Sequence, residues 1–302
     1  MVEAALKTGR RKLYKLYIYG GPNRQNLAQD QAVENLAKKI GLETTILTER
    51  DQRLMDKVCQ GRPHNGYILE ASPLPQLPVT ALGELSEVDE FPGFGISLGH
   101  QSQEESQVNG TDNFVPTRPG QHRPLVLFLD GVRDPGNLGA ILRSASFLGV
   151  SAVAISNRTS TTLTPVALKA SAGASETMTL FSVDSPADFL ARSGEAGWKI
   201  FAAVPTASRH RPGTQMDLRD LEKEDPLAQD PCILLVGSEG DGIPRVLRSK
   251  ADVEVTIPNH SGSPLVDSLN VSVAAGLLCS SFVKGKLSRV SPAKDELGLW
   301  GV

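Results

Sequence analysis

The chain has 302 residues and a mass of 32.3 kDa, of which 40% are hydrophobic and 22% charged. These values are typical of a folded globular protein, and the length suits two domains. No apolar run approaches the roughly 20 residues that span a bilayer, which argues against a membrane role. A net charge of −3 and a pI near 6.0 argue against a simple polyanion-binding protein.

Charge and cysteine positions add two further constraints. Residues 1–62 carry 12 Lys and Arg against 7 Asp and Glu, whereas residues 63–122 carry 1 against 8, so the basic charge lies at the front. The three cysteines, Cys59, Cys232 and Cys279, are widely spaced and odd in number, so neither a disulfide framework nor a metal site is expected. Cys232 and Cys279 lie in apolar runs and are predicted to be packed thiols in a reducing compartment.

Residues 1–75 have the pattern of a small α/β domain. Alternating residues predict strands, and apolar residues at helical spacing predict helices between them. The predicted elements are a strand over 12–18, a helix over 30–42, a strand over 44–47, a helix over 49–61 and a strand over 66–71. Because the domain begins abruptly on a strand, its first element is expected to be missing from this chain.

Residues 76–123 are rich in Pro, Gly, Ser and acidic residues. Such a segment has too little apolar content to offset its ordering entropy, and most of it is predicted to be a flexible linker or an insertion between two domains. A second acidic stretch, residues 216–231, is predicted to be an insertion.

Residues 124–288 alternate between apolar strands and helices, and residues 289–302 are expected to form a tail. Strands are predicted over 124–130, 151–156, 178–183, 198–204, 232–237 and 253–257, with a final helix over 268–283. This alternation predicts an α/β domain with a parallel sheet covered on both faces. Ligands of such sheets bind at the carboxyl ends of the strands.

The first of three loops at strand ends carries Asn137, Gly139 and Arg143 in the stretch DGVRDPGNLGAILR. The glycines allow close approach of a ligand, but the G-x-G-x-x-G spacing of dinucleotide sites is absent. Asn137 and Arg143 converge only if Asn137 lies before or at the start of the helix. The purely structural alternative makes Asn137 a helix N-cap and Arg143 a solvated residue.

The second loop, GSEGDGIP, places Gly237 and Gly242 around Glu239, and its structural alternative is a tight turn with Glu239 near a helix N-terminus. The third loop has Ser268 and Asn270 opening an apolar helix. Ser268 is a natural N-cap, whereas Asn270 within the first turn has less structural justification.

Together the three loops resemble the three motifs of SpoU-type RNA ribose 2'-O-methyltransferases of the SPOUT superfamily. The matching residues are Asn137, Gly139, Arg143, Gly237, Glu239, Gly240, Pro258, Ser268, Leu269, Asn270 and Val271. The loop IPNHSGSPLVD resembles the longer version in mitochondrial large-subunit rRNA guanosine 2'-O-methyltransferases, especially fungal ones. The front domain is similar to the ribosomal-protein-like RNA-binding domain of many members.

The resemblance implies a parallel-sheet domain with a C-terminal trefoil knot that binds S-adenosyl-L-methionine, works as a homodimer and needs no metal. It implies transfer of a methyl group to the ribose 2'-hydroxyl of a guanosine in large-subunit rRNA, in the mitochondrion. Expected cofactor contacts are Gly237, Gly242, Ile257, Pro258 and Leu269. Expected catalytic residues are Asn137, Arg143, Glu239, Ser268 and Asn270.

Arg143 is expected either as a general base or as a clamp on a phosphate that also stabilises alkoxide charge, and the permanent charge of guanidinium favours the clamp. Asn137 is expected to orient Arg143 or the ribose. Basic residues of the front domain are expected to contact RNA phosphates, or alternatively to form a solvated face: Arg10, Arg11, Lys12 and Lys15.

Three alternative functions would change the substrate, the activity or the cofactor. A tRNA substrate would keep the chemistry, and a non-catalytic RNA-binding ribosome-assembly factor would keep the scaffold. A Rossmann-type enzyme requires a Gly-x-Gly loop after the first strand, which this chain lacks in the proper order.

Overall fold

The computed structural model describes residues 1–21, 27–58, 65–86, 92–117, 123–205, 215–261 and 268–289. The front of the chain forms a three-stranded sheet in the order β2-β1-β3, in which β1 is parallel to β2 and antiparallel to β3. Its elements are α1 (Val2–Thr8), β1 (Leu13–Tyr19), α2 (Leu27–Lys39), β2 (Thr44–Leu47), α3 (Gln52–Val58) and β3 (Tyr67–Ala71). The helix α1 precedes the strand on which the domain was expected to begin.

The core of this front sheet lies on one face of β1. Leu16 and Ile18 alternate with more exposed residues and are buried against Val33 and Ala37 of α2. The apolar side chains on one face of the strand thus pack against the apolar face of the helix, which is the usual way a small α/β unit buries its core. Leu6 of α1 completes the same cluster.

The rest of the chain builds one ten-stranded sheet in the order β11-β13-β10-β12-β7-β8-β9-β4-β5-β6. The eight strands from β11 to β4 run parallel, and β5 and β6 continue antiparallel. The strands are β4 (Leu77–Ser86), β5 (Gly93–Leu98), β6 (Phe114–Pro116), β7 (Leu125–Leu129), β8 (Ala152–Ser156), β9 (Leu180–Val183), β10 (Lys199–Ala203), β11 (Gln215–Asp217), β12 (Cys232–Val236) and β13 (Val253–Thr256).

Helices cover both faces of this sheet, as parallel strands require. They are α4 (Gln103–Asn109), α5 (Pro135–Phe147), α6 (Pro165–Ala170), α7 (Pro186–Glu195), α8 (Leu218–Glu224), α9 (Arg245–Arg248) and α10 (Val271–Arg289). One core cluster includes side chains of α5, α6, α8 and α10, and a second, on the other face, includes side chains of α7 and α9. The sheet strands β7, β8 and β12 are buried on both faces.

The prediction of a flexible linker over residues 76–123 is wrong for the described part of that segment, which contributes β4, β5, α4 and β6. Phe94 packs edge-on against Trp198, with ring centroids 5.0 Å apart, and the Trp198 indole donates to the Gly83 carbonyl at 2.9 Å. The apolar residues of this segment are few, but five of them are buried in the core, so the segment extends the sheet: Val79, Leu82, Phe94, Ile96 and Val115.

The acidic stretch 216–231, predicted as an insertion, also contributes to the fold. Asp217 caps α8 by accepting from the backbone N–H groups of Arg219 and Asp220, and Leu221 is fully buried. A capping box and one buried leucine therefore place this polar segment at the edge of the sheet, next to β11.

Two more observations concern the helices and the cysteines of the described residues. None of their helices is long and apolar enough to cross a membrane. Cys232 and Cys279 are both buried free thiols, as predicted.

Candidate active site

The first loop follows β7 and leads into α5. Asp134 is the N-cap of α5 and accepts from the Asn137 backbone N–H at 2.7 Å, while Pro135 occupies the first helical position. Asn137 is therefore the third residue of the helix and not its cap. Its side chain extends from the first turn toward the other two loops.

The second loop follows β12 and is a tight turn. The backbones of Ser238 and Gly242 exchange hydrogen bonds, and Gly242 adopts a φ of +67°. A Cβ on Gly237 would lie 2.5 Å from the Gly242 carbonyl carbon, so only glycine fits there. The turn projects Glu239 toward solvent.

The third loop ends at α10, which begins at Val271. The Asn270 side-chain oxygen accepts from the Ser272 backbone N–H at 3.0 Å, so Asn270 takes the capping role expected of Ser268. Its oxygen also accepts from the Ser272 hydroxyl at 2.6 Å. These bonds leave the Asn270 amide nitrogen free to point at the other loops.

One carboxylate oxygen joins all three loops. Oε1 of Glu239 accepts from Nδ2 of Asn137 at 3.0 Å, from Nδ2 of Asn270 at 2.7 Å and from the backbone N–H of Val271 at 3.1 Å. Nδ2 of Asn270 also donates to Oδ1 of Asn137 at 3.0 Å. We call Asn137, Glu239 and Asn270 the polar cluster.

The position of Glu239 is electrostatically favourable. Its carboxylate lies at the first amide of α10, where unpaired N–H groups and the helix dipole stabilise negative charge. Both asparagines turn their amide donors to it, so the charge is held by neutral groups. The side chains of the cluster are solvent-accessible, and their fixed geometry can meet a polar ligand without reorganising.

Further hydrogen bonds hold the first loop in place. The Ser160 hydroxyl accepts from the backbone N–H groups of Gly131 and Val132, and the Thr159 hydroxyl donates to the buried carboxylate of Asp130 at 2.7 Å. A Cβ on Gly131 would lie 3.0 Å from the Ser238 side chain, so the first and second loops are in close contact. Apart from their place at strand ends, no sequence pattern distinguishes these supporting residues.

The residues expected to contact the cofactor lie at the same edge of the sheet. Gly237 is buried, Ile257 is partly buried against the core that also contains Val236 and Val271, and Leu269 is 45% exposed. Pro258 follows Ile257 and is exposed. The strand ends thus present backbone groups beside apolar side chains.

Arg143 does not converge with Asn137 in this chain. It lies six residues further along α5, is exposed, and makes no hydrogen bond or ion pair with any residue that the structure describes. The expectation that Asn137 orients Arg143 is wrong within one chain, because both residues are helical and their side chains leave α5 in different directions. Arg143 shares its face of the helix with Phe147, whose side chain is 90% exposed.

The four basic residues expected to bind RNA differ in their surroundings. Arg10 donates to the Met178 carbonyl, and Arg11 forms an ion pair with Glu176 at 3.1 Å. Both guanidinium groups therefore face the large sheet domain and not solvent. Lys12 directly precedes β1 and is exposed. Lys15 lies on β1 and forms an ion pair with Glu43. The position of Arg10 and Arg11 does not fit the role of phosphate contacts.

Among the remaining candidates, Ser268 is exposed. Arg133 is a cation near the cluster that the sequence did not single out, and its guanidinium lies 3.8 Å from the Asp241 carboxylate. No group of three or more potential metal ligands occurs among the described residues.

Comparisons with known proteins agree on one family. The sequence model of the SpoU rRNA Methylase family matches residues 124–280. The chain is 33% identical over 283 residues to "rRNA methyltransferase 1, mitochondrial" of Schizosaccharomyces pombe, a match that covers 93% of this chain and 87% of that protein. It is 34% identical over 278 residues to the human protein of the same name, covering 92% and 69%.

A bacterial relative and a solved structure extend the comparison. The chain is 31% identical over 300 residues to "23S rRNA (guanosine-2'-O-)-methyltransferase RlmB" of Haemophilus ducreyi, covering 95% of this chain and 96% of that protein. The structure of the SpoU methyltransferase AviRb from Streptomyces viridochromogenes, in complex with AdoMet, superposes with a TM-score of 0.62 at 18% identity. It covers 95% of this chain and 88% of that one, a likeness that shows the fold.

Proposed function

The chain belongs to the SpoU rRNA Methylase family, and on that premise we propose that it transfers a methyl group from S-adenosyl-L-methionine to the ribose 2'-hydroxyl of a guanosine in mitochondrial large-subunit rRNA. The polar cluster is the observation that carries this proposal. It brings Asn137, Glu239 and Asn270 from three separate loops to one point, at the strand ends where ligands of parallel sheets bind. The names of the mitochondrial and bacterial relatives support the substrate and the reaction.

The residues at this edge fit an adenosyl group. Ile257 and Leu269 offer apolar surface to a purine, and Gly237 and Gly242 carry no side chain that would keep a ligand from the backbone of the second loop. When bound, S-adenosyl-L-methionine supplies an electrophilic methyl group that forms a bond to the ribose oxygen while its sulfur–carbon bond breaks and the hydroxyl proton passes to solvent.

The polar cluster positions the target nucleotide. Glu239 fixes the two asparagines through its single oxygen, and the remaining hydrogen-bonding capacity of the asparagine amides is directed at the ribose. Ser268 lies two residues before Asn270 and reaches the same nucleotide. These neutral donors and acceptors orient the hydroxyl without adding charge next to a sulfonium.

Arg143 acts on the reacting ribose from a second copy of the chain. Its guanidinium stays protonated, so it holds a neighbouring phosphate and stabilises the negative charge that develops on the oxygen. The exposed apolar residues Phe147 on α5 and Val273 and Leu277 on α10 support a homodimer, because α5 packs against α10 and together they leave an apolar surface uncovered.

Two further features are part of the proposal. A C-terminal trefoil knot belongs to the proposal, and its support is that α10 packs against α5 while the first amide of α10 bonds to Glu239 of the second loop. The front domain, with exposed Lys12 on its surface, binds structured RNA. The mitochondrial names of the fungal and human relatives support that location.

The proposal is tested by incubating the protein with labelled S-adenosyl-L-methionine and mitochondrial large-subunit rRNA, tRNA or a substrate with a 2'-deoxy target, followed by mapping of 2'-O-methyl groups. We expect one modified guanosine in the rRNA and none in the deoxy substrate. Methylation of tRNA alone would contradict the assignment of rRNA as the substrate. RNA binding without any methyl transfer would instead favour a ribosome-assembly factor.

A mixing experiment tests the contribution of the second copy. The variants Arg143→Ala and Asn270→Asp are each expected to be inactive, but a mixed dimer contains one site with both native residues if Arg143 acts across the interface. Mixed and re-equilibrated variants are then expected to regain about a quarter of wild-type activity. No recovery, in mixtures shown by mass spectrometry to contain the heterodimer, would place Arg143 in its own chain's site.

A further inference from the structure

A buried ion pair connects the front domain to the catalytic part of the chain. Nη1 of Arg11 lies 3.1 Å from Oε1 of Glu176, and the two side chains are 10% and 2% exposed. Next to it, Arg10 donates to the Met178 carbonyl. Two consecutive arginines of the front domain therefore enter the loop between α6 and β9.

The backbones of the two parts also meet at this loop. Ala172 adopts a φ of +52° and Gly173 a φ of +101°, in the left-handed region that disfavours side chains. A Cβ on Gly173 would lie 3.0 Å from the Ala4 Cβ of α1. The strained turn lets α1 lie directly against the loop, so the ion pair is one element of a close-packed contact.

The same loop is connected to the candidate active site. The short 3-10 helix Ala174–Glu176 contacts α5, and α6 packs so tightly on α5 that a Cβ on Gly139 would lie 2.3 Å from the Ala167 carbonyl oxygen. Because α5 carries both Asn137 and Arg143, any shift of the loop moves the site. The chain of contacts runs from Arg11 through Glu176 to α5.

The chemistry of the ion pair suits it to fix the relative orientation of the two domains, and not to stabilise their contact. Arg11 Nε and Glu176 Oε2 are buried without a hydrogen-bond partner, so the pair does not recover the full cost of removing two charges from water. Burial raises the pKa of Glu176, and the positive charge of Arg11 opposes that rise. An apolar contact would hold two domains together at lower cost, but it would not define one relative orientation as an ion pair does.

We propose that Glu176 is a positioning residue, which through Arg11 holds the front domain in one orientation relative to the polar cluster. This inference rests on the proposed function. An RNA bound at both the front domain and the cluster is then held at a fixed separation, so that one ribose of a structured substrate reaches the site. A short RNA that contacts only the cluster does not depend on the pair.

Steady-state kinetics on two substrates test the proposal. For Glu176→Gln and Arg11→Met we expect kcat/KM on a long structured rRNA fragment to fall about tenfold, with a rise in KM, while kcat/KM on a short target stem-loop changes less than about twofold. The charge-swapped double variant Arg11→Glu with Glu176→Arg is expected to recover most of the loss. The control Lys7→Met removes an exposed ion pair with Glu3 on α1 and should leave both values unchanged.

Small-angle scattering of the same variants provides a readout that needs no activity. The wild-type protein and Lys7→Met should give the same profile, whereas Glu176→Gln should give a larger radius of gyration. Wild-type kinetics and scattering for Glu176→Gln, or an equal loss on both RNA substrates, would overturn the positioning role. A wild-type protein that methylates no RNA would overturn the proposed function instead, and the scattering comparison would still decide the role of the pair.

Discussion

Nδ2 of Asn270 donates a hydrogen bond to Oδ1 of Asn137 at 3.0 Å, across 133 positions of the chain. Each asparagine also donates to the same oxygen of Glu239. The three residues form a closed triangle in which every hydrogen bond connects a different pair of loops. Loss of one member therefore removes two of the three side-chain contacts and leaves the other two residues joined by a single hydrogen bond.

Replacement of Glu239 tests the centre of this triangle. Glu239→Ala removes an acceptor for three hydrogen bonds, and we expect the free energy of unfolding to fall by about 1–2 kcal/mol and methyl transfer to fall at least tenfold. Glu239→Gln keeps one acceptor oxygen and should retain the fold with intermediate activity, because only the charge is lost. Chemical denaturation and initial rates measure the two effects. Full activity in the alanine variant would contradict the role of the carboxylate.

The variant Asn270→Asp separates the role of Asn270 as the cap of α10 from its role as a hydrogen-bond donor to Glu239 and Asn137. The new carboxylate still accepts from the Ser272 backbone N–H, so α10 keeps its cap, but it no longer donates to Glu239 and Asn137 and it places a second negative charge beside Glu239. We expect activity to fall by about a hundredfold while helix content by circular dichroism is unchanged. Ser272→Ala, which removes only the hydroxyl bond to Asn270, is the control and should lose much less.

Gly139 allows the tight packing of α5 on α6. In Gly139→Ala the new methyl group would lie 2.3 Å from the Ala167 carbonyl oxygen and 2.5 Å from the Ala170 Cβ, so the two helices must separate. We expect a loss of about 3 kcal/mol and a Tm lower by roughly 10 °C, measured by calorimetry.

Gly194→Ala is the matched helical control for this change. A Cβ there would meet only the Ile200 Cδ1 at 3.5 Å, an ordinary contact, so stability should be retained or slightly raised. Equal Tm values for the two variants would contradict the packing role of Gly139.

The two described cysteines should be unreactive in the folded protein. Burial raises the pKa of Cys279 to about 12, and it also raises the pKa of Cys232. At pH 8 the Cys279 thiol therefore stays protonated, and the thiolate is the form that reacts. Peptide mass spectrometry after iodoacetamide treatment should find both thiols unmodified in native protein and alkylated in urea. Rapid native alkylation of Cys279 would mean that α10 opens readily.

Sequence patterns predicted six of the eight parallel strands within two residues of their structural bounds, because these six are continuous apolar runs. The other two, β4 and β11, lie in segments of polar composition and were not predicted as strands. The segment 76–123 was mispredicted because its mean composition is polar. Its buried side chains, such as Val79, Phe94 and Val115, alternate with Gly, Pro and Ser and are diluted in any average. Burial in a strand depends on the order of apolar and polar residues, and the mean composition of a segment contains no information on that order.

The sequence was sufficient to predict which residues belong to the candidate site, but not the hydrogen bonds between them. The resemblance selected Asn137, Glu239 and Asn270, yet their mutual hydrogen bonds depend on how three distant loops fold together. The same limit applies to Arg11, because a basic residue near a strand is equally consistent with an RNA phosphate and with a buried carboxylate. Only the structure places Glu176 next to it.

The triangle of Asn137, Glu239 and Asn270 has a consequence for biosynthesis. During translation Asn137 leaves the ribosome 133 residues before Asn270, an interval of about ten seconds at ordinary elongation rates. Most of the sheet can pair in that time, but Glu239 lacks its main partners until the last helix is made. A nascent chain that stops before α10 therefore has an incomplete polar cluster, and methyl transfer is expected only after the start of α10 has been made.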